Sequence, residues 1–354
     1  MKKDYLNMTK KEVNEELLSA VIEGDLDMII YLVTSPELKN NADTYCRTSS
    51  DRGDIPSFCD IFMLAAFKGH LDIIKFLIKE NVFYNIDAKN IKGENALMMA
   101  CKAGKVDIVE YFLNSGKDFD INTKNDIDHN LLMVACLNND IEMVKLLLSL
   151  SKEKGLDLFH ETRSGDNFLM RACTYSSSEL IKYLFAHPII TPSLINYRNK
   201  NKGSMNSLDI ICATQEKPLL EYLLKNNKFE LNKENIKSAF DSAVRGNNAS
   251  VVKYFIENKV MNNHIDIYEK DKNDESILLK ACMFNANKVV DYFLIDLNMK
   301  VDENTINILE EKNEKDFFKE RYQYALELIK KRDLYNKIDN TILNSKKSSN
   351  KVKV

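Results

Sequence analysis

Tryptophan is absent from the 354 residues, and glycine (10) and proline (5) are both scarce. That scarcity excludes collagen-like chains, glycine-rich linkers and low-complexity segments. No apolar run approaches the roughly 18 residues that cross a bilayer, and the basic start Met1–Glu12 has no apolar stretch of signal-peptide type behind it. A soluble, cytoplasmic protein is expected. Charge of one sign is missing too: 50 basic against 53 acidic residues leave a formal charge of −3. Without an overall positive field, neither nucleic acid nor a membrane is expected as a partner. The signatures of catalysis are lacking as well, with no glycine-rich phosphate loop, Gly-x-Ser-x-Gly elbow or His-Glu-x-x-His. His70, His129, His160, His187 and His264 are scattered and not paired with cysteine at zinc-ligand spacing. No metal, cofactor or enzymatic activity is expected.

What the chain does have is 44% hydrophobic and 29% charged residues, the balance of a folded protein. Its length suggests two or three domains of about 150 residues, unless the chain is a repeat array that grows without a central core. One phrase does recur. Phe62-Met63-Leu64-Ala65-Ala66 returns as Leu97-Met98-Met99-Ala100-Cys101, and again around Ala135, Ala172, Ile211, Ala243 and Ala281, with Leu17-Leu18-Ser19-Ala20 before it. Aligned on the small residue, eight units follow at spacings of 45, 35, 35, 37, 39, 32 and 38. After each phrase comes a second apolar stripe, such as Ile73, Ile74, Phe76 and Leu77, at helical spacing.

The pattern resembles the ankyrin repeat, about 33 residues of turn and two antiparallel helices with a Thr-Pro-Leu-His-x-Ala core. Ala65-Ala66-Phe67-Lys68-Gly69-His70 matches the family's Ala-Ala-x-x-Gly-His, and Asn85–Gly93 matches its glycine-ended turn. The resemblance covers residues 14–297 and implies an all-α solenoid of stacked helix-turn-helix units with short β-turn or hairpin connections. The departures have a physical reading. Asp60, Asn95, Asn130, Asn167, Asn206, Ser238 and Ser276 replace the family's threonine, and each is a residue type that caps a helix N-terminus. Ile61, Ala96, Leu131, Phe168, Ser207, Ala239 and Ile277 take the place of its proline. Met63, Met98, Met133 and Met170 replace its histidine, exchanging a polar tie for an adaptable apolar filler and implying looser contacts between repeats.

The expected organisation is an array over residues 1–300 with an enlarged loop at 34–56, a helical cap at 301–340 and a disordered basic tail at 341–354. Cys101, Cys136, Cys173, Cys212 and Cys282 each follow the anchor residue. Stacked repeats lie about 10 Å apart, beyond disulfide reach, so these are read as reduced, buried packing residues. Cys46 and Cys59 could close a short loop, which a reducing compartment disfavours.

The resemblance also implies a concave binding face at the second and third positions after each anchor. Phe67, Lys68, Lys102, Leu137, Asn138, Tyr175, Arg245, Met283 and Phe284 are the candidate residues there. Aromatic, methionine and arginine side chains of this kind are enriched at the centres of protein interfaces. The expected function is a non-catalytic, monomeric scaffold that binds a protein or peptide along this groove. The alternative is a regulatory or host-directed effector whose C-terminal segment recruits a second partner. If residues 301–354 only cap the array, deleting them should lower its thermal midpoint without abolishing a second binding activity.

Overall fold

The computed structural model describes residues 8–42, 58–81, 85–201, 203–226, 229–315 and 319–334. The chain forms two compact units, Met1–Ile190 with Asn199–Lys202, and Thr191–Arg198 with Gly203–Val354. Cys46, most of the expected loop at 34–56 and the expected tail at 341–354 lie outside the described residues.

The first unit holds five helix pairs among its described residues. They are α1 (Lys10–Glu23) with α2 (Leu26–Thr34), α3 (Ile61–Lys68) with α4 (Leu71–Lys79), and α5 (Ala96–Lys102) with α6 (Val106–Asn114). The others are α7 (Leu131–Leu137) with α8 (Ile141–Lys154), and α9 (Phe168–Tyr175) with α10 (Ser178–Ala186). First helices lie side by side in the order α1, α3, α5, α7, α9, and α2 meets α4 as α6 meets α8. The stack is a helical solenoid, as the sequence implies. Among the described residues there is no β-sheet, only an isolated antiparallel bridge between Lys124 and Asn130.

A first helix of seven or eight residues is too short to persist alone. Its start is set by a cap: Asp60, Asn95, Asn130 and Asn167 each accept a hydrogen bond from the backbone N–H three residues on, at 2.8 to 3.0 Å. Nearly every residue behind the cap is buried, as from Ile61 to Ala66 and from Leu131 to Cys136. These helices are apolar on all sides because packing surrounds them. They end in a left-handed residue, Gly69, Gly104 or Asn139, which reverses the chain into the second helix. Gly24 plays this part in the first pair with a φ of +80°, and an added Cβ there would lie 2.6 Å from the His70 ring of the next pair. At Ser176 the turn is extended instead, and Ser177 caps α10 directly.

The second unit opens with a short helical turn, α11 (Pro192–Ile195). Three further pairs follow: α12 (Ser207–Thr214) with α13 (Lys217–Lys225), α14 (Lys233–Arg245) with α15 (Ala249–Glu257), and α17 (Ile277–Met283) with α18 (Asn287–Asp291). The short α16 (Lys259–Asn262) lies between α15 and α17, and α18 runs into a π-helical turn at Tyr292–Asp296. Asn206 and Ser276 cap their helices as expected. Ser238 does not: α14 begins six residues earlier under Asn232, so Ser238 and Ala239 sit inside that helix. The chain closes with α19 (Glu303–Lys315) and α20 (residues 320–334). From α20, Arg321 and Arg332 donate to the carbonyls of Met283 and Met299 at 2.9 and 2.7 Å, and the Tyr324 hydroxyl reaches Asp291 at 2.6 Å.

Met63, Met98, Met133 and Met170 are buried, yet polar ties between pairs are present elsewhere. Asn138 Nδ2 donates to the Lys102 carbonyl (2.8 Å), the Ser176 hydroxyl to that of Cys136 (2.7 Å) and Asn248 Nδ2 to that of Cys212 (3.0 Å). At these three places the polar linkage lies at the turn between the two helices of a pair. Cys59, Cys101, Cys136, Cys173, Cys212 and Cys282 are buried. Burial pushes Cys59 up to about 11 and Cys282 to about 12, and raises Cys101, Cys136 and Cys212 further. These six thiols should react with a thiol reagent at neutral pH only as the protein unfolds; rapid native-state labelling of them would contradict this packing.

Gly246 closes α14 against the Ala213 backbone, where an added Cβ would overlap the Ala213 carbonyl. Gly246→Ala should destabilise the second unit by about 1–3 kcal/mol in denaturant melts, the usual cost of overpacking. Asn130→Ala, which removes one cap, should cost about 1 kcal/mol.

Candidate functional site

Each pair of the first unit from α5 onward is preceded by a hydrogen-bonded turn that projects beside its first helix. Before α5, Asn90 N–H donates to the Glu94 carbonyl (3.0 Å), while its side-chain oxygen accepts from the N–H groups of Lys92 and Glu94. Asn125 repeats this before α7, with His129 in the place of Glu94. Thr162 does so before α9, ending at Asp166. In the second unit Asp271 forms the same turn before α17. The fourth residue of each turn, Gly93, Asp128, Gly165 or Asp274, is left-handed. Successive turns of the first unit are tied together: Asp126 N–H donates to the Lys92 carbonyl (3.0 Å), Asn95 Nδ2 to Thr123 Oγ1 (3.1 Å) and Asn199 Nδ2 to the Ser164 carbonyl (2.8 Å).

Where each turn meets its first helix, acid and base are paired. Glu94, 5% exposed, holds Lys102 at 2.8 Å, and Asp166 holds Arg171 at 3.4 Å. In the second unit Lys280 bridges Asp271 (3.0 Å) and Asp241 (3.4 Å). The α7 turn departs from this arrangement, with His129 in the acid's place and Val134 and Leu137 on the helix beside it. A hollow of about 490 Å³ opens there, walled also by Ile91 and Lys92 of one turn, Asp126 and Ile127 of the next, and Lys102 and Asn138. Ile91 and Ile127 are 58% and 60% exposed.

The candidate residues read from the sequence fall into separate places. Lys102, Leu137 and Asn138 share the hollow. Phe67 and Lys68 are half-buried in the last turn of α3, and Tyr175, at the end of α9, is 57% exposed. Arg245, Met283 and Phe284 belong to the second unit, where the Arg245 guanidinium lies 5.1 Å from the centroid of the exposed Phe284 ring and also pairs with Asp241 at 2.7 Å. Met283 is half-buried. Ile91 and Ile127 escaped the sequence reading, which followed helix positions. Their signal is apolar residues at a turn tip, where Arg163-Ser164 and Lys272-Asn273 stand in other turns.

Capped helix pairs with projecting turns define a class, the turn-and-two-helix repeat protein. The family model described as ankyrin repeats (3 copies) matches residues 17–125, 62–158 and 119–196, which together span half of the chain. The chain belongs to the ankyrin repeat family. No curated protein matches it. Ankyrin repeats are in general non-catalytic modules of protein–protein interaction. Among the described residues no cluster of histidine, cysteine and carboxylate side chains is arranged to hold a metal, and no helix is long and apolar enough to cross a membrane.

Desolvation opposes ionisation of Asp271, but donors from Glu275 N–H, Lys280 and Asn273 N–H outweigh it and hold its carboxyl below the usual range. A depressed acid contributes stability that is present above the unfolded-state value near 4 and is lost as pH falls through the folded-state value. Acid melts of the second unit should therefore steepen below pH 4, and Asp271→Asn should flatten that limb. An unchanged acid limb would show that the Asp271 turn does not contribute to stability.

Proposed function

We propose that this chain is a non-catalytic scaffold that grips a protein or peptide partner along the turn tips and first-helix ends of its repeats. The hollow at α7 carries the reading: exposed isoleucines at two adjacent turn tips stand over an apolar floor and beside cations, the composition of an interface centre. Phe67, Lys68 and Tyr175 extend the surface within the first unit. Arg245, Met283 and Phe284 offer a second patch, in which the guanidinium over the ring is a ready anchor. We take residues 1–300 as an array of eight repeats and 301–340 as its cap, a role supported by the bonds of α20 to Met283, Asp291 and Met299. We take the chain as a monomer working in the reducing cytoplasm, a reading that the burial of its described thiols supports.

Selecting peptides from a random library on the full chain tests the proposal. Binders should lose roughly tenfold or more in affinity to an Ile91→Ser, Ile127→Ser variant. Both isoleucines are exposed, so the thermal midpoint should hold. Binders indifferent to the pair would place recognition elsewhere.

A further inference from the structure

The His129 ring is a wall of the hollow, in the place where the neighbouring turns carry Glu94 and Asp166. His129 is only 8% exposed, and its backbone is fixed in the turn by Asn125. The charges around it are largely matched already. Glu94 and Lys102, both lining the hollow, pair with one another. From the next turn and α9 come Asp166 and Arg171, also paired. Asp128 is held by Arg163 at 2.9 Å and Lys124 at 3.7 Å, while His160 Nε2 hydrogen-bonds the Asp128 carbonyl at 2.7 Å. Lys92 and Asp126 also line the hollow with opposite charges, so a charged side chain entering it would give up its water without meeting a net counter-charge. An apolar side chain would meet Val134, Leu137, Ile91 and Ile127.

We infer that the hollow takes an uncharged, apolar side chain of the protein partner and that His129 couples this capture to pH, so that mild acid releases it. The inference rests on the proposed function of the same surface. Burial first, and the Arg171 guanidinium second, hold His129 below the ordinary histidine value, outweighing the pull of Asp128 and Asp166. The ring is therefore neutral at pH 7. An apolar side chain laid against it removes the remaining water that an imidazolium needs. Bound and protonated forms then exclude one another: affinity is flat at neutral pH and falls by up to about tenfold per unit once pH drops through the value of the free protein.

The probe is a library-selected peptide whose binding to the full chain depends on Ile127. Its Kd should stay constant from pH 8 to 7 and rise once pH drops through the His129 midpoint of the free protein, while the Kd of His129→Gln, whatever its value at pH 7.5, should lose that rise. His160→Gln should keep it. If His129→Gln does not fold, a titration of the wild-type histidine Cε1–H resonances decides, because bound peptide should move the His129 midpoint to lower pH. A flat Kd, an acid dependence that persists in His129→Gln, or a His129 midpoint unmoved by peptide would overturn the inference and leave the binding surface standing. A library that yields no Ile127-dependent peptide overturns the proposed function and this inference with it.

Discussion

One interaction sets the rest of the structure: a short polar side chain accepts the third N–H of a helix too brief to hold itself. Asp60, Asn95, Asn130 and Asn167 do this in the first unit, and Asn206, Asn232 and Ser276 in the second. Several of these capping side chains are almost wholly buried, Asn130 at 2% and Asn167 at 1% exposure. A side-chain oxygen so deeply placed is costly to leave unsatisfied, so the cap and the packing around it require each other. Once the cap fixes where a first helix begins, its apolar residues meet both neighbours and the turn ahead of it is aimed to one side.

That turn carries both the packing against the first helix and the proposed recognition surface. Asn90, Asn125, Thr162 and Asp271 each fold the chain back onto the residue just before the cap, leaving the two tip residues outside. Acid and base pairs close the gap between turn and helix at Glu94 with Lys102, and at Asp166 with Arg171. At α7 neither member of the pair is present, and a hollow remains in its place. A partner's side chain can supply there the contacts that a built-in ion pair supplies at the neighbours.

The fold was largely legible because its determinants are local and repeated. An asparagine five residues before an alanine in an apolar phrase is a cap in copy after copy, and repetition separates it from chance. Ser238 shows the limit: the phrase around Ala243 keeps its register, but Asn232 starts the helix earlier and leaves the serine inside. The spacing of 39 before Ile211 has its own source, since Asn199 stands seven residues ahead of the Asn206 cap where Asn90 and Asn125 stand five ahead of theirs. The candidate surface was less legible. Helix positions led to Lys102, Leu137 and Asn138, which share the hollow, but Phe67 and Met283 are half-buried, and the tips Ile91 and Ile127 belong to turns that helical periodicity cannot register. Nor does helical periodicity show that Lys102 and Arg171 have acid partners eight and five residues earlier.

Amide hydrogen exchange on the full chain tests most directly whether these side-chain acceptors hold the structure. The amides of Lys92, Glu94 and Met98, and of Ile127, His129 and Met133, donate to Asn90, Asn95, Asn125 and Asn130. They should exchange only with the unfolding of the first unit, at the pace of the helix interiors they precede. Exchange of these amides within seconds, while α5 to α8 stay protected, would contradict the central role given to the caps and turns.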